Sequence, residues 1–205
     1  MLNVKCSMIN LPKLILASGS PRRAEILTAV GWQFTKQVAD IDESLRHAET
    51  PENYVQRLAK EKAEAVAALY ENALVLGADT TVVINGEIIG KPVDLDDARA
   101  MLKKLSGNRH EVLTGVALVK VQSPKSKVQS LETVVGIQRT RVKFAAMQDA
   151  EIEFLVEKGE PLDKAGAYAV QAQAALFIEG IEGDYWNVVG LPVRLVYELM
   201  RKMEL

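Results

Sequence analysis

The stretch LILASGSPRRAEIL, residues 14–27, reads as a short apolar strand, a turn of small residues and the start of a helix. Ser20 suits the N-cap and Pro21 the first helical position. Arg22 and Arg23 then fall in the first turn, where the helix dipole is positive and each cation costs on the order of 0.3–1 kcal/mol. A phosphate held at that helix start, among backbone N–H groups and the hydroxyls of Ser18 and Ser20, would reverse the balance and favour both arginines. The plainer alternative is a solvated helix start whose arginines point to water. The turn is not a Walker loop, because G-x-x-x-x-G-K-[ST] is absent.

Three further residues fit the same chemistry. Lys62 lies four residues from both Leu58 and Val66, within an apolar helical stripe that also holds Tyr54 and Leu69. An inward ammonium costs several kcal/mol unless it is paired; otherwise its stem must snorkel to water. Asp79 interrupts the apolar run LVLGADTTVVI. It is either a structural bend with Gly77 or a functional carboxylate exposed at a strand bend. Lys91 returns towards Asp79 if Asn85-Gly86 makes a two-residue hairpin turn, which pairs Ile84 with Glu87 and Thr80 with Lys91. Alternation would put Lys91 on the face of Thr80, and a bulge at Gly90 would re-aim it; a plain surface Lys–Asp pair is the simpler reading. Taken together, several cations, a few carboxylates and an anion-binding helix start suit a polyphosphate with a divalent cation.

The elements that must position these residues alternate between helix and strand, which predicts an α/β class. The first helix should bury Ile26, Leu27 and Val30 and end at Gly31. Residues 51–70 read as a long helix, 73–84 as a strand and EIIG as its hairpin partner. Asp94 should cap a helix running to Leu105 and ended by Gly107. HEVLTGVALVKV and ETVVGIQRTRVKFA read as strands separated by the loop QSPKSKVQS. Residues 148–158 read as a helix, AYAVQ as a strand and 192–203, begun by Pro192, as the last helix. No composition break divides the chain.

Composition narrows the function. The chain has 205 residues, 48% hydrophobic and 25% charged, as in ordinary globular proteins. A net charge of −2 gives no global basic field to draw nucleic acid or a membrane surface. Arg139, Arg141 and Lys143 alternate along one strand and could bind a single nucleic-acid strand, but they form a solvated sheet face more simply. Aromatic residues at 5% also leave few stacking platforms. The single cysteine, Cys6, fits a reducing compartment, with no disulfide framework. No signal peptide or membrane span is read, so the expected location is the cytoplasm.

The motifs LASGSPRR, IDE at 41–43, RLAKEKA around Lys62, LGADTTV, GKP at 90–92, LSGNRHEVLTGVAL, DKAGAYAVQ and IEGDYWNVVGLP occur in an order that resembles the Maf family of nucleoside triphosphate pyrophosphatases. That family is linked to septum-formation inhibition in bacteria. The resemblance runs from Lys13 to Leu199. It leaves residues 1–12 as an N-terminal extension and 13–205 as a single domain. It implies an α/β fold, a long twisted mixed sheet flanked by helices, with two lobes and a deep cleft, similar to inosine triphosphate pyrophosphatases. It also implies that Asp79 is the catalytic base, that Ser18, Ser20, Arg22 and Arg23 contact the triphosphate, and that Glu43, Lys62 and Lys91 share the cleft.

Arg22, Thr80 and Gln171 match the branch of that family acting on dTTP and UTP; a sister branch acting on 7-methyl-GTP shows SPWR, GSDQ and an SE pair instead. Ala172 departs from the glycine often found after the glutamine. The expected reaction is hydrolysis to the monophosphate and pyrophosphate, assisted by Mg²⁺ or Mn²⁺ held by Glu43 and Asp79. The expected role is limiting non-standard nucleotides, with a link to cell division arrest. Homodimers are frequent in the family, and no nucleic-acid or membrane partner is expected. The alternatives are a non-catalytic nucleotide-sensing regulator of septum formation and a 7-methyl-GTP pyrophosphatase.

Overall fold

Alternation along the first strand, β1 (Leu14–Ala17), sets the plan of the molecule. All four residues are buried: Leu14 and Leu16 enter one core, Ile15 and Ala17 a second on the opposite face of the sheet. The same division runs along β3 (Asn72–Ile84), where Leu74 and Leu76 face the first core and Ala73 and Val75 the second. A strand buried on both faces must read as a continuous apolar run, which is why LVLGADTTVVI is legible as a central strand. The computed structural model describes residues 13–122 and 130–205. The expected extension 1–12, Cys6 and residues 123–129 of the expected loop lie outside the described residues.

Seven strands form one mixed sheet among the described residues, in the order β2-β1-β3-β5-β6-β7, with β4 also paired to β3. The others are β2 (Phe34–Lys36), β4 (Glu87–Ile89), β5 (Arg109–Gln122), β6 (Ser130–Phe144) and β7 (Ile178–Glu182). β1 is parallel to β2 and β3; the remaining pairs are antiparallel. The helices are α1 (Pro21–Ala29), α2 (Pro51–Ala67), α3 (Leu95–Leu105), α4 (Asp149–Lys158), α5 (Tyr185–Val189) and α6 (Val193–Lys202). The expected α/β mixed sheet flanked by helices is thus the observed one.

One topological detail places the site. β5 takes one side of β3 along nearly its whole length. On the other side β1 pairs only as far as Gly77, and β4 begins only at Val82. The edge of β3 between them, Ala78 to Thr81, faces a gap. The turn Ser18–Ser20 leaves β1 beside that gap, and Gly90–Lys91 leaves β4 beside it from the other direction. Divergence of neighbouring strands at a strand's carboxyl end is where open α/β sheets form crevices.

α2 covers the second core by unusually close approach. A Cβ at Gly77 would lie 2.1 Å from the Ala59 carbonyl oxygen, and one at Gly115 would lie 2.1 Å from that of Val55. Two glycines on adjacent strands, Gly77 of β3 opposite Ala117 and Gly115 of β5 opposite Asp79, therefore let the helix backbone rest on the strands.

Several expectations need correction. Val30 is 43% exposed, because α1 ends at Ala29 and the chain turns at Gly31 with φ 76°. Leu69 is 66% exposed, since α2 stops at Ala67. AYAVQ is not a strand: a 3₁₀ turn at Ala165–Ala167 leads into an extended residue and a further turn. Positive φ at Gly166 and Ala167 breaks the pleat there. The sheet is completed by β7 instead, and β2 and α5 join elements too short to show a period. Arg139 and Arg141 do lie on a solvated face, bridged to Glu111 and, for Arg139, also to Glu52. Among the described residues no helix is long and apolar enough to cross a membrane.

Candidate active site

The gap at β3 opens into a cleft of about 590 Å³, lined among others by Ser18, Ser20, Arg22, Arg23, Glu43, Lys62, Asp79, Thr80, Lys91 and Gln171. Every site residue expected from the sequence therefore reaches one cavity. Their individual partners differ from expectation in instructive ways.

Asp79 sits within an unbroken ladder opposite Gly115, not at a bend, and is buried. Alternation points it, like Gly77, towards α2, which presents Lys62 from its buried face. Lys62 Nζ lies 2.7 Å from Asp79 Oδ1 and 2.8 Å from Glu43 Oε1. The inward lysine thus neither snorkels nor stays alone; it joins two carboxylates. Burial pushes the Asp79 carboxyl above the usual carboxylate range, with Lys62 and Arg23 opposing that shift.

Glu43 is held in place by a brace that sequence reasoning missed. Tyr54 donates its hydroxyl to the Glu43 carbonyl at 3.1 Å. Arg57 grips Glu49 through two nitrogens at 2.6 and 2.8 Å, Glu61 at 3.1 Å and the Ser44 carbonyl at 3.0 Å. The Arg57 hydrogen bonds hold Glu49 down at about 2. Asp42 closes the IDE turn by accepting from the Ser44 N–H at 2.9 Å. The visible signal was Arg57 and Glu61 spaced i, i+4 on one helix.

The arginine pair divides its labour. Arg23 is buried and folds back over the turn, donating to the Gly190 carbonyl at 2.9 Å, Ser18 Oγ at 3.0 Å and Thr80 Oγ1 at 3.1 Å. All three acceptors are neutral, and burial lowers its pKa from the ordinary arginine value. Ser18 Oγ also accepts from the Ser20 N–H at 3.1 Å. Ser20 is the N-cap of α1 by position, yet its hydroxyl makes no cap bond. Arg22 instead spans the cleft to Asp163 Oδ2 at 2.8 Å. The wrong-sign charges at the helix start are thus partly absorbed by the protein itself.

Thr80 faces the opposite side from Asp79. Its hydroxyl is engaged with Arg23, with Thr114 Oγ1 at 2.9 Å and with the Gly190 carbonyl at 3.3 Å, so it anchors the arginine. Lys91 does not pair with Thr80: the hairpin ladder stops at Val82–Ile89, and beyond it that edge of β3 borders the cleft. Lys91 reaches the cavity from the loop after β4, without a bulge in that ladder. Gln171 stands exposed on the far wall, three residues beyond Tyr168, whose hydroxyl meets His110 Nε2 at 2.7 Å. His110 and Tyr168 are buried with Phe144 in an edge-to-face cluster, a support the sequence did not reveal.

The donor set of the cleft is open to a divalent cation. Among the described residues no three His, Cys, Asp or Glu side chains gather into a ready-made cage. Lys62 takes one oxygen each from Asp79 and Glu43, and their second oxygens have no protein hydrogen bond among the described residues. Two open carboxylate oxygens beside an anion site fit Mg²⁺ or Mn²⁺, which take one or two carboxylates and complete their shell with phosphate and water.

Comparison with known proteins follows the same lines. A protein of Symbiobacterium thermophilum named dTTP/UTP pyrophosphatase is 48% identical over 190 residues, covering 93% of each chain. One of Hahella chejuensis with the same name is 50% identical over 184 residues, covering 88% of this chain and 87% of that one. The Staphylococcus aureus Ham1 protein shares the fold, with a TM-score of 0.51 at 15% identity over 93% of this chain and 99% of that one. The family model described as Maf-like protein matches residues 13–203. With the motifs of that family gathered around one cleft, and relatives this close along most of its length, the chain belongs to the Maf family.

Proposed function

We propose that the protein hydrolyses nucleoside triphosphates to the monophosphate and pyrophosphate, with dTTP and UTP as preferred substrates. The observation that carries this reading is Arg23, a buried guanidinium with only neutral hydrogen-bond acceptors in the wall of a cleft that also holds Lys62. A cation so placed is stabilised by an incoming anion. The names of the relatives support the substrate class, and Arg22, Thr80 and Gln171 support the pyrimidine branch.

The N–H groups at the start of α1 with Ser18, Ser20, Arg22 and Arg23 bind the triphosphate. Water attacks the α-phosphorus, the bond from that phosphorus to the bridging oxygen breaks, and its electron pair leaves on pyrophosphate. The water proton passes to Asp79 Oδ2, the oxygen that Lys62 leaves open. Burial raises the basicity of that carboxylate, and Lys62 fixes its orientation. Arg22, Arg23, Lys62 and Lys91 offset charge gathering on the leaving group. Glu43 and Asp79 would hold Mg²⁺ or Mn²⁺, which when bound polarises phosphoryl oxygens and acidifies water; metal and proton compete for Asp79 Oδ2, so Glu43 would carry the larger share of the metal. The single cysteine and the modest net charge support a cytoplasmic nucleotide enzyme over a nucleic-acid binder.

A panel of nucleoside triphosphates, 7-methyl-GTP included, assayed for pyrophosphate with Mg²⁺ or Mn²⁺ tests the reading. UTP and dTTP should lead, CTP follow and ATP come last. Binding without pyrophosphate release would favour a sensor, and a lead by 7-methyl-GTP would favour the sister branch.

A further inference from the structure

One short segment touches both ends of the cleft. Asp163 closes the 3₁₀ turn Pro161–Asp163. Its Oδ2 accepts from Arg22 Nη1 at 2.8 Å, and its carbonyl accepts from Arg22 Nη2 at 3.1 Å. Its Oδ1 accepts from the buried Lys164 ammonium at 2.6 Å, so the carboxylate is matched on both sides before any ligand arrives. Arg22 has no other hydrogen-bond acceptor among the described residues, which leaves its remaining N–H groups for the cleft.

The chain then passes Gly166, whose N–H donates to the Gly90 carbonyl at 3.0 Å. A Cβ there would meet Val82 Cγ2 at 2.9 Å, so the backbone lies against β3. Gly166 and Ala167 take φ of 69° and 64°, a sharp local turn that an alanine adopts only under constraint. Tyr168 follows, locked to His110, and then Gln171 on the cleft wall. Ties at Asp163, Gly166 and Tyr168 give the segment little freedom to move at one end alone.

We infer that Asp163 is a positioning residue which couples the grip of Arg22 on the phosphates to the seating of the Tyr168–Gln171 wall that reads the base. It acts through Arg22 and touches neither the reacting phosphorus nor the base. The inference rests on the nucleotide reading given above. It adds that the phosphate and base ends do not bind independently, with a coupling of about fivefold or more, the usual floor for linked sites.

Titration calorimetry in EDTA, where no turnover is needed, tests it with dTTP, CTP and inorganic tripolyphosphate on the wild type, Asp163→Asn and Asp163→Glu. Asp163→Asn should weaken dTTP by about tenfold, weaken tripolyphosphate less, and shrink the preference for dTTP over CTP. Asp163→Glu should restore part of the preference, which a merely misfolded variant would not. Equal losses for all three ligands make Asp163 a local clamp on Arg22 and overturn the coupling, as does an unchanged preference. A wild type without preference for dTTP over CTP overturns the substrate reading and this inference with it, whereas loss of coupling in the variant alone overturns only the inference.

Discussion

Lys62 Nζ stands 2.7 Å from Asp79 Oδ1, and both side chains are buried, so the ammonium is a structural partner of the carboxylate as well as a cation of the cleft. An inward lysine without a partner would be better replaced by methionine. The observed pairing reverses that sign. Lys62→Met leaves a buried carboxylate uncompensated and should lower stability by about 3 kcal/mol, while Lys62→Met/Asp79→Asn should recover most of it. Urea unfolding at neutral pH checks both. A single variant as stable as the wild type would show the pair to be energetically uncoupled.

Asp79→Asn removes the proposed proton acceptor and keeps the shape, because the amide oxygen can still accept from Lys62. Turnover should fall by at least about 10²-fold, as for a positioned base. Affinity for dTTP should hold or tighten, since one negative charge near the phosphates is gone. Single-turnover kinetics with an independent binding measurement separates the two effects, and a near-normal kcat excludes Asp79 as the base.

His110 is buried, and desolvation lowers its pKa from the ordinary 6.5 to about 4. The unfolded chain takes up a proton as pH drops below 6.5, whereas folded His110 does not until about 4, so its contribution is complete above 6.5 and is lost through that window. The loss from pH 7 to pH 5 should be about 2 kcal/mol. His110→Gln keeps a hydrogen-bonding group near Tyr168 and should flatten that part of the profile. Asp79, whose pKa is raised, works in the opposite sense, so the difference between the two proteins is the useful quantity. Parallel denaturation curves at both pH values would refute the assignment.

Gln171 offers both a donor and an acceptor, which match the N3–H and a carbonyl of uracil or thymine. Cytosine presents neither in the same order. Gln171→Glu keeps only acceptors, and the kcat/KM ratio of dTTP to CTP should fall by about tenfold or more. Unchanged selectivity would move base recognition to another part of the wall.

Much of this arrangement was legible because it violates local rules. Lys62 in an apolar stripe and Asp79 in an apolar strand each needed a partner, and they are each other's. The arginines at a helix start needed acceptors, and they found them. What could not be read was where the acceptors came from. Arg22 meets Asp163, and Arg23 meets Gly190, across connections that no periodic pattern encodes. Lys91 reaches the cleft as expected, but its pairing with Thr80 fails because hairpin arithmetic assumes that a ladder continues until a turn stops it, whereas here the cleft ends it at Ile89. AYAVQ looked like a strand because alanine, tyrosine and valine alternate suitably, but positive φ at Ala167 is a tertiary demand. Arg57 and Glu61 look in sequence like the ordinary charged face of a helix, and no spacing shows that Glu49, from before the helix, and Tyr54, from its apolar stripe, join the brace behind Glu43.

The pairing of β3 with β5 runs unbroken from Asn72–Gln122 to Val83–Glu111, with Asp79 inside it. Amide hydrogens in such a ladder exchange only when the whole sheet opens, so the N–H of Asp79 should be among the slowest in the molecule. The segment from Glu160 to Gln171 has no ladder; short turns, side-chain ties and a backbone bond from Gly166 to Gly90 hold it, so it should open before the sheet does. In the proposed mechanism, choice of base and cleavage of phosphate therefore rest on parts with different lifetimes. Gentle warming should blunt discrimination between nucleotides before it ends hydrolysis, so the protein becomes indiscriminate before it becomes inactive.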